Sequence, residues 1–198
     1  MDRRAFLASG VGIALVPAAV PLARAAAPFS QRGAGYFTNA ELHAHDGRTV
    51  RFYDDLLKGK IVLINFMYTE CADICPGMTQ NLAEVQKLLG DRIGRDIFMY
   101  SLTLQPEHDT PERLKEYAET FDVKPGWLFL TGAPADIELL RRRLGFADSD
   151  PVEDADLEQH IGIVRIGNEP LNRWITAAAL LRPKPLIQNL RQVIPSDS

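Results

Sequence analysis

The chain has few cysteines, no internal repeat and no excess of positive charge. Only two of its 198 residues are cysteines, too few for the dense disulfide framework that stabilises small exported domains. The formal net charge is −4 at pH 7, and an acidic domain binds nucleic acids poorly. Hydrophobic residues make up 46% of the chain and charged residues 24%. These proportions indicate a globular domain with a sizeable core and exclude a disordered chain.

One long uncharged stretch is present, at the N-terminus. Residues 5–23 carry no charge, follow Arg3 and Arg4, and precede several small residues. This arrangement is typical of an export signal, and the RRAFL string resembles the twin-arginine signals that direct folded proteins out of the bacterial cytoplasm. We therefore predict an export signal of twin-arginine type at residues 1–27 and a folded, periplasmic domain at residues 28–198.

An uncleaved anchor in the inner membrane is the alternative for the N-terminal segment. The uncharged stretch approaches the ~20 residues that span a bilayer. Pro17 and Pro21 interrupt it, which favours cleavage, after Ala25 or Ala27. In either case, export places the two cysteines in an oxidising compartment.

Both cysteines lie in the string YTECADICP, residues 68–76, between an apolar run and a helical pattern. This places Cys71 and Cys75 in a strand-to-helix turn, where ligands meet the chain in α/β proteins. Two thiols can exchange electrons as a dithiol and disulfide, or hold a soft metal ion as thiolates. A purely structural disulfide is disfavoured, since a domain of this size does not need one. Because Cys75 precedes a proline, we expect it to cap the helix and the positive helix end to favour its thiolate.

Apolar, β-branched runs alternate with patterns of helical period along the rest of the chain. This alternation predicts an α/β fold with one sheet. The acidic segment at residues 148–158 is interpreted as a solvated loop. A β-hairpin is predicted around the HDGRTV turn, ahead of the main sheet. Strands are predicted at residues 61–67, 96–104 and 127–132, and each is followed by a helix. Two antiparallel strands in HIGIVRIG and LNRWITA and a final amphipathic helix complete the predicted elements.

The YTECADICP string, the SLTLQPEHDTPERLKEYA string and a histidine at the start of a late strand together resemble the Sco (SenC) family. The resemblance covers residues 36–195. It implies a thioredoxin-like fold, with a central mixed sheet flanked by helices, an N-terminal β-hairpin and an inserted strand-helix unit. It also implies a copper site formed by Cys71, Cys75 and His160, and a role in assembling the binuclear copper centre of cytochrome c oxidase.

The residue chemistry agrees with the ligands that the resemblance implies. Two thiolates and an imidazole form a soft, low-coordinate site that suits Cu(I); the sequence leaves open whether Cu(I), Cu(II) or both bind. Zinc usually takes a fourth ligand, and a thioredoxin-type reductase usually has C-x-x-C. The chain departs from the family pattern at Ala72, where a proline is common, and at Gln105, where an aspartate is common. Both positions are expected close to the site.

Two functions follow as hypotheses. The first is a metallochaperone that hands copper to an apo cuproprotein, with subunit II of cytochrome c oxidase as the expected client and a copper donor or thiol reductant as a further partner. The alternative is a thiol-disulfide oxidoreductase that reduces the cysteines of a client copper site, in which Cys71 attacks and Cys75 resolves. His43 and His45 are interpreted as exposed hairpin residues in place of a second metal pair, and Met78 is interpreted as a core residue.

Overall fold

The computed structural model describes residues 36–156 and 162–194. The predicted export signal lies outside the described residues. In the part of the chain that is described, no helix has both the length and the apolar character needed to cross a bilayer. The strands are β1 (Glu41–Ala44), β2 (Thr49–Arg51), β3 (Ile61–Met67), β4 (Ile97–Thr103), β5 (Trp127–Gly132), β6 (Ile163–Asn168) and β7 (Arg173–Ala178), and the helices are α1 (Ile74–Leu89), α2 (Pro111–Thr120), α3 (Pro134–Arg143), α4 (Pro151–Ala155) and α5 (Pro183–Arg191).

The strands form one mixed sheet in the order β2-β1-β5-β4-β3-β6-β7. β3, β4 and β5 are parallel, whereas β6 pairs antiparallel with β3 and β7 pairs antiparallel with β6. β3 is therefore a central strand, as predicted. The unit of β5 and α3 is inserted in the chain between α2 and β6, and β5 extends the sheet beyond β4.

β3 is buried on both faces because the sheet has a hydrophobic core on each side. From Val62 to Met67 every side chain is buried. Val62, Ile64 and Phe66 join one core, whereas Leu63 and Met67 join the other. This is the result expected when successive side chains of a strand point to opposite faces.

The two cores differ in composition. On one face, α1, α2 and α5 cover the sheet, and we call it the sulfur face because every sulfur atom of the described residues lies in its core. The other core, which we call the opposite face, lies under a π-helical turn at Phe52–Leu57 and under α3, and it includes six buried phenylalanine and tyrosine side chains. The residues that bring sulfur to the sulfur face are Met67, Cys71, Cys75, Met78 and Met99.

The N-terminal hairpin is confirmed, but its position differs from the prediction. β1 and β2 pair antiparallel around a turn with Gly47 at φ +86°. β1 also pairs antiparallel with β5, so that Leu42 lies opposite Gly132. The hairpin is therefore an edge of the main sheet, because the free hydrogen-bonding groups of β5 accept it as a neighbour.

The acidic segment is only partly the solvated loop that was predicted. It contains the short helix α4, whose Asp154 side chain is 9% exposed and receives two hydrogen bonds from Arg141, at 2.7 and 2.8 Å. Arg141 is itself buried and also binds Glu138 and the carbonyl oxygen of Phe146. A buried ion pair therefore fixes this segment to α3, against the expectation for a run of surface carboxylates.

Candidate functional site

The cysteine motif occupies the junction between β3 and α1. β3 ends at Met67 and α1 begins at Ile74, with Asp73 at the N-cap position. Pro76 lies in the first turn of α1, where a missing N–H costs nothing. Cys71 is 6% exposed, Cys75 is 0% exposed, and both are free thiols in the core of the sulfur face.

The two cysteines are hydrogen-bonded to each other and to the backbone of Tyr68. The N–H of Cys75 donates to Cys71 Sγ at 3.3 Å, and a further hydrogen bond joins the two thiols. The carbonyl oxygen of Tyr68 accepts from the N–H of Cys71 at 3.3 Å. Tyr68 and Cys75 are thus both hydrogen-bonded to Cys71.

These contacts make the two thiols unequal. Burial acts to raise the pKa of the Cys71 thiol, but hydrogen bonds from the Cys75 side chain, the backbone N–H groups of Cys75 and Asp73, and Tyr68 more than offset it, so the pKa is lowered. Burial, followed by the hydrogen bond with Cys71, raises the pKa of Cys75 far above its usual value. The expectation that Cys75 caps the helix as a favoured thiolate is therefore wrong. The N–H of Cys75, in the first turn of α1, donates to Cys71 Sγ, because α1 begins before Cys75.

A buried carboxylate ties the cysteine loop to the next strand. Asp109 is 0% exposed and accepts hydrogen bonds from the N–H and the hydroxyl of Thr69, at 3.1 and 2.5 Å, and from the hydroxyl of Thr103, at 2.5 Å. Thr69 lies in the cysteine loop and Thr103 ends β4. A second, exposed link runs from Arg113 of α2 to Glu70, at 3.2 Å.

The two departures from the family pattern lie near this junction. Ala72 is exposed between the cysteines. The N–H of Gln105 donates to the hydroxyl oxygen of Thr103 at 2.9 Å, so the Thr103 hydroxyl can direct its own proton to Asp109. Neither departure removes a thiol from the site.

No third metal ligand lies beside the cysteines among the residues that the structure describes: they contain no group of three His, Cys, Asp or Glu side chains able to hold a metal ion. His160, the predicted third ligand, lies outside the described residues. Gly162, two residues later, is described. A Cβ atom on Gly162 would lie 3.7 Å from Ile74 Cγ2, and the carbonyl oxygen of Gly162 accepts from the N–H of Ala179 at 2.7 Å.

The remaining candidates have ordinary structural roles. His43 bonds the Thr49 hydroxyl across the hairpin, and His45 Nδ1 accepts from the N–H of Phe129. The interpretation of both histidines as exposed is correct for His43 and wrong for His45, which is half-buried against β5. Burial lowers the pKa of His45. Met78 is 0% exposed in the core, and the amide of Asn65 approaches its sulfur at 3.8 Å. The interpretation of Met78 as a core residue is confirmed.

Three residues of the site were not found from the sequence: Tyr68, Thr69 and Asp109. Asp109 lies in an Asp-Thr-Pro string that reads as a helix start, and Thr110 does cap α2, accepting from the N–H of Arg113. The signal in the sequence was that Asp109, a residue type that often caps helices, directly precedes Thr110, which caps α2. The side chain of Asp109 is not needed by the helix and is therefore free to bind elsewhere.

A mixed sheet with a C-x-x-x-C dithiol between a central strand and its helix defines a thioredoxin-like protein with two neighbouring thiols at the end of that strand. The family model described as SCO1/SenC matches residues 30–167. The chain therefore belongs to the SCO1/SenC family, and the resemblance and fold class predicted from the sequence are confirmed.

Relatives and solved structures agree with this membership. The chain is 37% identical over 89 residues to the SCO1 protein homolog of Bacillus subtilis (strain 168), which is 44% of this chain and 44% of that protein. The match thus spans less than half the length of that relative. Copper-bound ScoI of Bradyrhizobium japonicum superposes with a TM-score of 0.60 and 25% identity, over 78% of this chain and 97% of that chain. BsSco, a Sco family cytochrome c oxidase assembly protein with a disulfide switch, superposes with a TM-score of 0.58 and 25% identity, over 77% and 89%.

Proposed function

We propose that the chain is an exported copper-binding metallochaperone that delivers copper to an apo cuproprotein. The observation that carries the proposal is the pair of free, buried thiols of Cys71 and Cys75 at the β3–α1 junction, where the N–H of Cys75 donates to Cys71 Sγ. Two neighbouring thiolates are the donor set that selects a soft ion such as Cu(I). Copper is the cargo of this site.

His160 is proposed as the third ligand. Gly162 lies against Ile74, the residue between the loop and Cys75. This position of Gly162 supports the proposal, since two residues of chain extend at most about 7 Å. With Cys71, Cys75 and His160 as ligands, one face of the copper ion would remain open to an incoming ligand from the client.

The protons of the two thiols leave in a defined order in this proposal. Cys71 would lose its proton before Cys75, because hydrogen bonds lower the pKa of the Cys71 thiol whereas burial raises the pKa of Cys75 until a cation compensates the buried charge. Copper binding therefore releases a proton from Cys75, and protonation of Cys75 favours release of the metal. Cys71 would then be the last protein sulfur bound to the ion during transfer.

The proposed client is subunit II of cytochrome c oxidase, at its binuclear copper centre. BsSco, a Sco family cytochrome c oxidase assembly protein, supports this choice, and copper-bound ScoI of Bradyrhizobium japonicum supports copper as the cargo. The arginine pair and uncharged stretch at residues 1–27 support export to the periplasm, with retention in the inner membrane if the segment is not cleaved.

A thiol-disulfide oxidoreductase is the second candidate, and the inequality of the two thiols favours it. The Cys71 thiolate would attack a client disulfide, form a mixed disulfide and release one client thiolate. Cys75 would then lose its proton, attack Cys71 Sγ and release the second client thiolate, leaving a Cys71–Cys75 disulfide. In this reaction the client gains the two electrons that the dithiol loses.

A Cu(I) titration of the reduced domain tests the proposal. Wild type, Cys71→Ser and His160→Ala would be titrated in competition with a Cu(I) chelator, with free thiols counted in every sample. We expect one copper per wild-type chain and much weaker binding in both variants, because each variant removes a ligand.

Other outcomes decide between the two candidates. If fully reduced wild-type protein failed to retain copper against the chelator and cycled its disulfide readily, the oxidoreductase would replace the chaperone as the proposed function. If His160→Ala retained full copper affinity, the dithiol would bind copper without His160, and the third ligand would have to be sought elsewhere.

A further inference from the structure

Asp109 is a buried carboxylate that helix capping does not explain. Its side chain is fully buried, yet the N-cap role for α2 belongs to Thr110, whose hydroxyl oxygen accepts from Arg113. The three hydrogen bonds to Asp109 all come from outside α2. A buried carboxylate is costly unless it is hydrogen-bonded, so its position at this junction calls for a role there.

The hydrogen bonds of Asp109 lead through Thr69 and Tyr68 to the cysteines. Asp109 binds Thr69 through the backbone N–H and through the hydroxyl, which fixes both the position and the side chain of Thr69. The preceding residue is Tyr68, whose carbonyl oxygen accepts from the N–H of Cys71 at 3.3 Å. Cys71 Sγ in turn accepts from the N–H of Cys75 at 3.3 Å. A displacement of Thr69 would therefore shift both cysteines.

The other end of this chain of contacts is rigid. Thr103, the third donor to Asp109, ends the parallel strand β4, where it lies opposite Met67 of β3. The N–H of Leu104 donates to the carbonyl oxygen of Met67 at 2.8 Å. Asp109 thus fixes the position of the cysteine loop relative to the sheet, at the point where the loop leaves β3.

We propose that Asp109 is a positioning residue for the dithiol site, acting through Thr69 and Tyr68 to hold Cys71 Sγ and Cys75 Sγ at the separation that binds a metal ion. The inference rests on the proposed function for its metal readout. In this proposal Asp109 does not contact the metal and takes no part in proton transfer. The exposed Glu70–Arg113 pair, on the same loop, has no such role, since both side chains are more than half exposed.

Two pairs of variants test the proposal. Asp109→Asn removes a carboxylate oxygen that accepts hydrogen bonds, and Arg113→Gln breaks the exposed link to the same loop. Thr69→Val removes only the hydroxyl contact, while Thr69→Ser retains it. Each variant would be assayed in the full chain for its melting temperature, for Cu(I) affinity by chelator competition, and for the rate of Cys71 alkylation by iodoacetamide well below the melting temperature.

We expect Asp109→Asn and Thr69→Val to weaken Cu(I) binding by about tenfold, the size typical of residues that orient metal ligands, and to change the Cys71 alkylation rate. Thr69→Ser and Arg113→Gln should behave as wild type. A purely structural role predicts lower melting temperatures with unchanged affinity and alkylation in the folded protein, and that result would overturn the proposal.

The readouts separate failure of this inference from failure of the proposed function. If wild type bound no copper, the proposed function would fail, while the alkylation rates of Thr69→Val and Thr69→Ser would still test the positioning of Cys71. If Asp109→Asn did not fold, the Thr69 pair would decide, because Thr69 is only partly buried and its valine variant keeps the backbone hydrogen bond to Asp109. Equal copper affinity and equal alkylation in that pair would contradict the proposal.

Discussion

The two faces of the sheet have comparable hydrophobic cores but different chemistry. The sulfur face holds all five sulfur atoms of the described residues, including the two thiols of the candidate site. The opposite face has phenylalanine and tyrosine rings in contact, such as Phe66 and Phe146 with centroids 4.8 Å apart. The comparison indicates that the sulfur face has to combine packing with a dithiol site, whereas the described core of the opposite face contains no thiol.

The largest expected effect is the loss of an aromatic ring from the opposite face. Phe52 is 0% exposed and packs against Phe37. Phe52→Ala should lower the free energy of unfolding by about 3–5 kcal/mol, through lost burial and the cavity left behind. Cys71 alkylation and Cu(I) affinity should not change, because Phe52 belongs to the other core. Urea unfolding and chelator competition measure the two results, and a weakened copper site would show that the faces are energetically coupled.

A smaller effect is expected at the rim of the opposite face, where Asp154 binds Arg141. Hydrogen bonds from Arg141 hold the pKa of Asp154 well below its usual range. A carboxyl group whose pKa is lowered by folding stabilises the fold at pH values above its unfolded pKa of about 3.9. That stabilisation is lost as the pH falls towards the pKa of the folded state. Asp154→Asn should therefore cost about 2 kcal/mol at pH 7, and the difference from wild type should shrink in acid.

Urea unfolding of both proteins at neutral pH and at a pH below the unfolded pKa of about 3.9 measures this difference. Arg142→Gln is the matched control, since Arg142 also binds Asp154 but is half exposed, and it should cost much less. A wild-type advantage that persisted unchanged in acid would mean that Asp154 stabilises the segment by packing and not through its charge.

The smallest effect is expected for the replacement of Met78, whose sulfur atom is not a proposed copper ligand. Met78 is buried beside the site, and its sulfur contacts the amide of Asn65 at 3.8 Å. Met78→Leu keeps the volume, so it should cost less than about 1.5 kcal/mol and leave Cu(I) affinity unchanged. The same two assays apply. If Met78→Leu lost as much Cu(I) affinity as Cys71→Ser, Met78 would be a copper ligand and not only a core residue.

The sequence predicted the parts of the fold that depend on local signals. β3 and β5 match their predicted bounds, Ile61–Met67 and Trp127–Gly132, because each is an apolar run with polar or glycine residues at its ends. The end of α1 at Gly90 follows from a glycine at positive φ. The pairing of β1 with β5 could not be predicted, since it depends on two strands far apart in the chain.

The two cysteines of the candidate site were predicted from the sequence, but the electrostatics of the site were not. The spacing of Cys71 and Cys75 was sufficient to place both thiols at one junction. Which thiol receives the helix N–H groups depends on whether α1 begins at Ile74 or two residues later, a difference below the accuracy of a boundary prediction. The buried contacts of Asp109 and Asp154 were missed because both residues lie in polar segments, where a carboxylate is normally solvated.

The pairing of β1 with β5 has a consequence for the order of folding. The hairpin of β1 and β2 is synthesised first among the described strands, but its place in the sheet exists only after β5 has been made and has paired with β4. Contacts between distant segments form late because their loops must close first. We therefore expect the hairpin to remain undocked on the nascent chain until most of the domain has left the ribosome.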